Sequence, residues 1–342
     1  MALTQPVLTI AIPTWNRCDY LQQTLEQLRL EMAVVESGRV EILVSDNGST
    51  DQTVAVVGAA QAAGLDIRLI LNGENVGSDA NIAQCYNLAR GDYVLILGDD
   101  DLLVDGCLAW LLNVLEPRRH GVVCLRAYGF EDDFRKEFPG EGGDAIGFSD
   151  PSAFLAAVNS RMTLISSNVM QKALMPDIDA NIYCGSNLVQ VHLVIEIALR
   201  ATSNLYVNAY KIACKRNNSG GYSFSRIFVQ EFGNILDQYR AKGLTSDAVR
   251  EIETRMIIGF LPFYLMRLRI ASTADLDQQA AYLRSRFHDR IIFWILLYPV
   301  LALPRRLAIG WGAAVTLFGR GLNGDFRRGW RYLSHRLSGA WR

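Results

Sequence analysis

Short apolar runs alternate with helix-like segments along the first 130 residues of the chain. Five of these runs are predicted strands, at 7–12, 40–45, 67–71, 93–97 and 122–125. The segments between them carry apolar residues at helical spacing, at 20–30, 51–63, 79–89 and 108–115. Continuous apolar strands separated by helices of this length are typical of βαβ units around a largely parallel sheet. The first part of the chain is therefore predicted to be an α/β domain.

The pattern changes after about residue 130. Residues 131–147 are polar, acidic and glycine-rich, which predicts a loop, whereas 151–159 and 188–199 are predicted helices. From residue 226 onward the pattern is mainly helical. We therefore expect an α/β domain over 1–225 and a helical C-terminal region over 226–342.

Polar loops follow the first four predicted strands. Their sequences are PTWNR (13–17), DNGSTD (46–51), NGENVGSDAN (72–81) and GDDD (98–101). Right-handed crossovers place the carboxyl ends of parallel strands along one edge of the sheet, and ligands bind at that edge. We expect the four loops to converge on one ligand-binding crevice.

The loop with the most specific sequence signal is GDDD, in which Asp99 and Asp101 flank Asp100. In an extended segment, residues i and i+2 point to the same side, so Asp99 and Asp101 are candidates to share a hard cation such as Mg²⁺ or Mn²⁺. Such a cation would bridge to the diphosphate of a ligand and neutralise the charge that develops as the diphosphate leaves. The alternative is a solvated acidic turn, because Gly and Asp are both common in turns.

Two other loops each allow a binding and a structural interpretation. Asp46 closes the second strand, where its carboxylate either contacts a nucleobase or makes a structural turn. Ser49 or Thr50 is expected to cap the following helix, and Asn16 is a second candidate cap. Arg17 is either a phosphate partner or a surface charge.

In their order and spacing, the four motifs resemble those of family 2 glycosyltransferases. The chain is similar to the bacterial O-antigen and capsule subgroup of abequosyltransferase-like enzymes, in which LGDDD follows the fourth strand. The resemblance is strong over residues 7–130, weaker to about 220 and negligible beyond. It implies a GT-A fold, the Rossmann-like fold of nucleotide-diphospho-sugar transferases, and a nucleoside-diphosphate-sugar donor. The predicted nucleotide-sugar site comprises Pro13, Thr14, Arg17, Asp46, Asn75, Gly77, Asn81, Asp99 and Asp100, with Asp101 as the principal metal ligand.

The catalytic base is the least defined part of the predicted site. The family usually supplies an acidic residue in an ED-like pair in the second half of the domain, and this chain has no such pair there. His192 lies where related enzymes place a histidine or an acid, so it is predicted as a base or a metal ligand; the alternative is a helix histidine packed against apolar neighbours. Asp100 is the second predicted catalytic residue.

Lys215 and Arg216 precede a stretch rich in Asn, Ser and Gly, over 217–225. Basic groups on a closing loop suit capture of a diphosphate, so both are predicted to contact the donor from a lid. An ordinary surface loop has the same composition.

Charge is distributed unevenly along the chain. The net charge is -1, yet residues 284–342 carry eleven arginines and only two acids. Within this tail, 291–303 and 307–318 are apolar and contain Trp294, Tyr298 and Trp311, but each is shorter than a bilayer span. Apolar and aromatic residues among arginines are typical of a segment that lies in lipid headgroups. A packed helical subdomain or an oligomer interface is the alternative.

The six cysteines are scattered without metal-ligand spacing, which predicts reduced thiols in a cytosolic protein. The N-terminus shows no secretion signal pattern. The expected location is therefore the cytoplasm, peripherally on the inner face of the cell membrane.

The sequence predicts a glycosyltransferase that uses Mn²⁺ or Mg²⁺ and moves a sugar to a glycan acceptor in bacterial surface polysaccharide synthesis. The acceptor is expected to be linked to a polyprenyl diphosphate, and nucleic acid is not an expected partner because the aromatic residues lie in apolar segments. One alternative is a nucleotidyltransferase, whose first loop would be glycine-rich and basic, whereas PTWNR contains no glycine. The other is an assembly partner that binds nucleotide without catalysing.

Overall fold

The chain divides into two units, Met1–Gly221 and Tyr222–Arg342, in the computed structural model. The structure describes residues 5–216, 223–271 and 276–322. The second unit therefore begins before residue 226, where the sequence predicted the helical region to begin.

The first unit is built on one mixed sheet of nine strands in the order β3-β2-β1-β4-β8-β6-β9-β5, with β7 paired to β9. The strands are β1 Leu8–Thr14, β2 Val40–Asp46, β3 Ile67–Leu71, β4 Tyr93–Ile96, β5 Asp101–Leu103, β6 Val122–Phe130, β7 Gly142–Phe148, β8 Asn168–Gln171 and β9 Asn204–Lys215. Its helices are α1 Cys18–Met32, α2 Thr53–Ala62, α3 Ser78–Leu88, α4 Cys107–Leu115, α5 Pro151–Val158 and α6 Val189–Arg200.

The half of the sheet formed by β1 to β4 is parallel, as the sequence predicted. Helices α1, α2 and α3 connect these strands, because a parallel neighbour can be reached only by a crossover. Strand residues buried on both faces, such as Ile10, Val44 and Leu95, form the core and explain the continuous apolar runs. The register places Thr14 opposite Asp46, at the carboxyl ends of β1 and β2.

The other half of the sheet departs from the predicted pattern. Strand β8 runs antiparallel between β4 and β6, and β9 pairs antiparallel with β5 and β7. The prediction of a loop over 131–147 is wrong for the last part of this range, because β7 begins at Gly142 and pairs with β9. Nearly all of β7 is exposed, so hydrogen bonding to β9 rather than burial holds it, and its glycine-rich sequence gives no strand signal.

The second unit is helical, as expected. Its helices are α7 Phe232–Arg240, α8 Ser246–Arg255, α9 Leu261–Ala271, α10 Leu276–Phe287, α11 Tyr298–Ala302 and α12 Arg305–Leu322, with π-helical turns at Arg226–Glu231, Met256–Phe260 and Phe293–Leu297. Met266 of α9 packs on Ile309 and Ala313 of α12. Gly319 allows α12 to approach the turn at 256–260, since a Cβ there would lie 2.4 Å from the carbonyl oxygen of Ile258. Among the described residues, the structure contains no helix of the length and apolarity needed to cross a membrane.

Candidate active site

The loops that follow β1 and β4 are joined at the carboxyl edge of the sheet by buried side chains. The hydroxyl of Thr14 donates to a carboxylate oxygen of Asp99 at 2.8 Å. On α1, the hydroxyl of Thr24 donates to the backbone carbonyl of Asp99, also at 2.8 Å. The predicted residues Thr14 and Asp99 are therefore adjacent, and Asp46 lies beside Thr14 in the next strand.

Residues 98–101 form a turn rather than the extended segment assumed from the sequence. The amide of Asp101 donates to the carbonyl oxygen of Gly98 at 3.1 Å, and β5 begins at Asp101. Asp99 and Asp101 are therefore not placed on one face by the alternation of a strand. Both are nonetheless buried, whereas Asp100 is partly exposed.

Arg17 ties two of the three aspartates to the start of α1. Its guanidinium lies 3.3 Å from a carboxylate oxygen of Asp99 and 2.8 Å from one of Asp100. Burial raises the pKa of Asp99 to about 7, although the charge of Arg17 and the bond from Thr14 act to lower it. Arg17 is thus a partner of carboxylates in this structure, and it remains one-third exposed.

Asp101 is held by Ser166, a residue that the sequence did not indicate. The Ser166 hydroxyl donates to Asp101 at 2.5 Å and accepts from the amide of Gly98 at 2.9 Å. Cys214 of β9 lies opposite Asp101 in the antiparallel ladder and hydrogen-bonds to it. Burial and the neighbouring charge of Asp100 raise the pKa of Asp101 to about 7, against these hydrogen bonds.

This turn concentrates three carboxylates beside one arginine, so it carries excess negative charge in a largely buried position. Carboxylate oxygens are the ligands that Mg²⁺ and Mn²⁺ prefer, and the donor set fits a hard divalent cation. Within residues 5–216, 223–271 and 276–322, however, there is no group of three His, Cys, Asp or Glu side chains that could hold a metal ion. Oxygens of a ligand or of water would have to complete the coordination of a cation held by Asp99 and Asp101.

His192 is not brought to the aspartates as a third ligand. It is buried on α6, and its ring stacks on that of Tyr183 with centroids 4.7 Å apart and planes 7° from parallel. The predicted metal set of Asp99, Asp101 and His192 is therefore not assembled. The packed-histidine alternative describes its surroundings better.

The loops after β2 and β3 are joined by Asn47, for which the sequence predicted no role. Its amide group donates to Asn75 at 2.9 Å and to the carbonyl oxygen of Gly77 at 3.3 Å, and its oxygen accepts from the amide of Val76 at 3.0 Å. Gly48 has φ +73°, and a Cβ on it would lie 2.8 Å from the backbone of Glu74, so only glycine fits this approach. Predicted residues Asn75 and Gly77 are thus held beside the carboxyl end of β2.

Asp46 and Asn81 differ in the polar groups they leave for a ligand. Asp46 is buried and accepts one hydrogen bond in its own loop, from the amide of Ser49 at 3.1 Å. Asn81 is buried and uses both ends of its amide on Ser45, accepting from the hydroxyl at 2.6 Å and donating to the carbonyl at 3.0 Å. Asn81 therefore supports β2 from α3, and its contact with the donor stays a prediction.

The expected helix caps are wrong in detail. Neither Ser49 nor Thr50 caps α2; Ser49 accepts from the amide of Asn16, and the amide of Thr50 donates to the Asn16 side chain. The first turn is held instead by Asp51, which accepts from the amide of Thr53 at 3.0 Å and from that of Cys18 at 3.0 Å. These contacts join the loops after β1 and β2.

Lys215 and Arg216 lie at the end of β9, directly after the residue that pairs with Asp101. The ammonium group of Lys215 donates to the carbonyl oxygen of Glu131 and lies over the ring of Phe130. Arg216 lies 3.5 Å from a carboxylate oxygen of Glu137. Residues 217–222 of the predicted lid, including Gly220 and Gly221, lie outside the described residues.

The segment that contains these loops is similar in sequence to known glycosyltransferases. The family profile of Glycosyl transferase family 2 matches residues 9–170. The abequosyltransferase RfbV of Salmonella typhimurium is 32% identical over 121 residues, which are 35% of this chain and 36% of that protein. A GalNAc(5)-diNAcBac-PP-undecaprenol beta-1,3-glucosyltransferase of Campylobacter jejuni is 30% identical over 138 residues, which are 40% of this chain and 43% of that protein. The chain thus spans less than half the length of these curated relatives.

Solved structures show the same fold over a larger part of the chain. S. aureus TarS 1-349 in complex with UDP-GlcNAc has a TM-score of 0.63 at 15% identity, covering 93% of this chain and 92% of that one. The mannosyltransferase PcManGT from Pyrobaculum calidifontis, in complex with GDP-Man and Mn²⁺, has a TM-score of 0.53 at 15% identity, covering 94% and 87%. The predicted GT-A fold with a helical C-terminal region is confirmed. Over residues 9–170, the chain is therefore similar to members of glycosyl transferase family 2.

Proposed function

We propose that this protein is a metal-dependent glycosyltransferase that moves a sugar from a nucleoside-diphosphate donor to a glycan acceptor. The observation that carries the proposal is the buried turn of Asp99, Asp100 and Asp101, joined to Thr14 and Arg17 at the carboxyl edge of the sheet. The family match over 9–170 and the glycosyltransferase names of the relatives support it.

The donor nucleotide is proposed to lie across the ends of β1 and β2. Asp46, Asn75 and Gly77 would contact its base, and Pro13 and Thr14 would contact the nucleotide from the end of β1. Arg17 would exchange its bond with Asp100 for a diphosphate oxygen, since a guanidinium binds either anion by charge-assisted hydrogen bonds. UDP-GlcNAc in TarS and GDP-Man in PcManGT are examples of such donors.

Mn²⁺ or Mg²⁺ is proposed to be held by Asp101 and Asp99, whose buried carboxylates lack sufficient positive charge around them. The cation would supply charge neutralisation for the departing diphosphate. Ser166 would keep Asp101 oriented. The chemistry of the donor set fits, and the PcManGT structure contains Mn²⁺ in the same fold.

In the reaction, an acceptor hydroxyl would form a bond to the anomeric carbon as the bond from that carbon to the diphosphate breaks. A base must take the proton of the hydroxyl. Asp100 is the proposed base, because it is the most exposed of the three aspartates and would be released by Arg17 when the donor binds. His192 is the second candidate, and its stacked, buried ring would have to lie within reach of the acceptor.

The acceptor is proposed to be a lipid-linked glycan of a bacterial surface polysaccharide. The name of the Campylobacter relative contains an undecaprenyl-diphosphate-linked glycan, and RfbV is named an abequosyltransferase. An enzyme with such an acceptor would work at the cytoplasmic surface of the membrane. Helix α12 supports this location, because its exposed positions Leu307, Trp311, Phe318 and Leu322 are apolar and follow two exposed arginines, Arg305 and Arg306.

Calorimetric titration with UDP, GDP, CDP and dTDP, each with Mn²⁺ and then with EDTA, tests the donor site. We expect one nucleotide to bind with metal and to lose affinity with EDTA. Asp101→Asn should remove the metal-dependent part, whereas Asp105→Asn, which changes an exposed carboxylate paired with Arg135, should not. Absence of binding by all four nucleotides would contradict the proposal. Binding without sugar transfer would favour the assembly-partner hypothesis.

A further inference from the structure

An open cavity of about 730 Å³ lies within the second unit, outside the proposed active site. Helices α7, α8 and α10 and the segment after α10 form its walls. Four arginines and three acids line it, namely Arg240, Arg250, Arg286, Arg290, Asp237, Glu253 and Asp289. Its volume is that of a small-molecule site.

The inner arginines of the cavity are fixed by a buried carboxylate. Glu253 accepts from Arg286 at 2.6 Å and from Arg290 at 2.6 Å. Arg286 also pairs with Asp237, and Arg290 bonds to the hydroxyl of Thr254 at 2.5 Å. These ion pairs use the charge of Asp237 and Glu253, so they build a rigid wall rather than an acidic site.

The arginines at the rim retain donors for an anion. Arg250 is exposed, and among the residues that the structure describes its guanidinium has no hydrogen-bond partner. Arg240 donates to the hydroxyl of Ser246 at 2.8 Å and lies 3.8 Å from Asp237. Two guanidinium groups and a hydroxyl at one opening are a donor set that suits a phosphate.

One lip of the cavity is apolar and exposed. Ile291 and Ile292 line the cavity, and the side chain of Ile291 is 77% exposed. Trp294 and Ile295, three and four positions further along, are 41% and 56% exposed. They share a face of the helical segment with Ile291, so an apolar strip continues from the lip. Trp311 of α12 donates to the carbonyl oxygen of Leu296, which connects this strip to the exposed apolar face of α12.

From this arrangement we infer that the cavity binds the phosphate of an anionic lipid while the apolar strip lies in the headgroup region of the bilayer. Arginines recessed behind apolar side chains match the order of phosphate and acyl chain in a lipid at a membrane surface. The inference rests on the proposed membrane association and gives it a specific ligand, a terminal phosphate monoester in a lipid headgroup, which offers more charge and more free oxygens to the two guanidinium groups than a phosphodiester does.

The test compares Arg250→Gln with Arg255→Gln. Both arginines are exposed on α8 and each substitution removes one charge, but Arg255 pairs with Glu251 and does not line the cavity. Binding of the full chain would be measured by sedimentation with phosphatidylcholine vesicles that contain either phosphatidic acid or phosphatidylglycerol at matched surface potential. We expect wild type to prefer phosphatidic acid, and Arg250→Gln to lose about fivefold on those vesicles. Arg255→Gln should retain the preference.

Further measurements distinguish a lipid phosphate from free phosphate, and failure of the lipid site from failure of the proposed transferase function. Ile291→Ser with Trp294→Ser should lower binding to both vesicle types. Calorimetry with dioctanoyl phosphatidic acid and with inorganic phosphate distinguishes a lipid site from a free-anion site, and equal affinity for the two would overturn the inference. Equal loss in Arg250→Gln and Arg255→Gln would overturn it as well, since general charge would then explain the binding. Nucleotide titration of Arg250→Gln shows that the donor site is unaffected, so failure of the lipid site is distinguishable from failure of the transferase proposal.

Discussion

Replacing Ser166 by Ala tests whether one hydroxyl orients the proposed metal-binding aspartate. In the wild type this hydroxyl donates to Asp101 and accepts from the amide of Gly98, so the substitution removes one hydrogen bond from the buried Asp101 carboxylate and leaves the Gly98 amide without this partner. The side chain is fully buried, which excludes bulk water as an easy substitute. Ser166 is thus expected to stabilise the turn and to position Asp101.

The size of the effect follows from these two bonds. A hydrogen bond to a charged group contributes about 1.5–3 kcal/mol, and a buried amide without a partner costs about 1–3 kcal/mol. The two bonds share one oxygen and are not additive, so we expect Ser166→Ala to lower the free energy of unfolding by about 3 kcal/mol. For a unit of this size, that corresponds to a fall of about 10 °C in the melting temperature.

Activity should fall further than stability alone explains. Without the Ser166 hydrogen bond the pKa of Asp101 rises above about 7, so a larger fraction of Asp101 is protonated near neutral pH. We expect turnover of the donor to drop about 10- to 100-fold at pH 6.5 and less at pH 8, because the higher pH restores the carboxylate.

The matched control is Ser167→Ala. Ser167 is also buried, but its hydroxyl makes no hydrogen bond among the described residues, so its loss should change stability by less than about 1 kcal/mol and leave activity intact. Calorimetric melting of both variants and a pH profile of sugar transfer between pH 6 and 8.5 provide the data. If the two variants melt alike and share one pH profile, Ser166 has no role in orienting Asp101.

Three further substitutions test other parts of the site. Asp101→Asn should abolish sugar transfer and should stabilise the metal-free protein at pH 8 relative to wild type. The folded-state pKa of Asp101, about 7, lies above its unfolded value, so the wild type loses stability as the pH rises through 7. Urea midpoints measured in EDTA at pH 5 and pH 8 would contradict this if the wild type showed no such loss. Arg17→Gln should weaken nucleotide binding about 10- to 100-fold by calorimetry, and Arg29→Gln, which changes an exposed ion pair on the same helix, should have no effect. Asp51→Ala should lower the free energy of unfolding by about 1 kcal/mol. Burial would raise the pKa of Asp51, but hydrogen bonds from Thr53 and Cys18 lower it to about 2, so the stabilisation by Asp51 is lost as the pH falls from 4 to 2. Equal urea midpoints of the variant and the wild type at pH 6 would refute this role.

The sequence predicted the parallel half of the sheet because the signal there is local. Each strand from β1 to β4 is buried on both faces, and each is followed by a helix with its own apolar spacing. The loops at the carboxyl edge then follow from the handedness of the crossovers. For the same reason, Thr14, Arg17 and Asp99 could be placed together from the chain alone, and the structure joins them.

The rest of the fold depends on pairings between distant segments. Strand β8 has four residues and becomes a strand only between β4 and β6, and β7 is held by β9 with little burial. Ser166 contacts Asp101 across 65 residues, and Asn47 contacts Val76 across 29. Serine and asparagine are common in loops, so neither carries a sequence signal for its role.

The turn at 98–101 also explains why the three aspartates have different surroundings although their sequence is uniform. An extended strand would have placed Asp99 and Asp101 on one face by alternation, but the turn buries both by separate contacts, Asp99 with Thr14 and Asp101 with Ser166. Asp100 remains at the surface on Arg17. Burying two carboxylates that have pKa values of about 7 destabilises the fold at neutral pH, and a bound cation would offset that effect. The protein is therefore expected to gain stability from Mn²⁺ in proportion to the fraction of Asp99 and Asp101 that is ionised, and so to gain more at pH 8 than at pH 6.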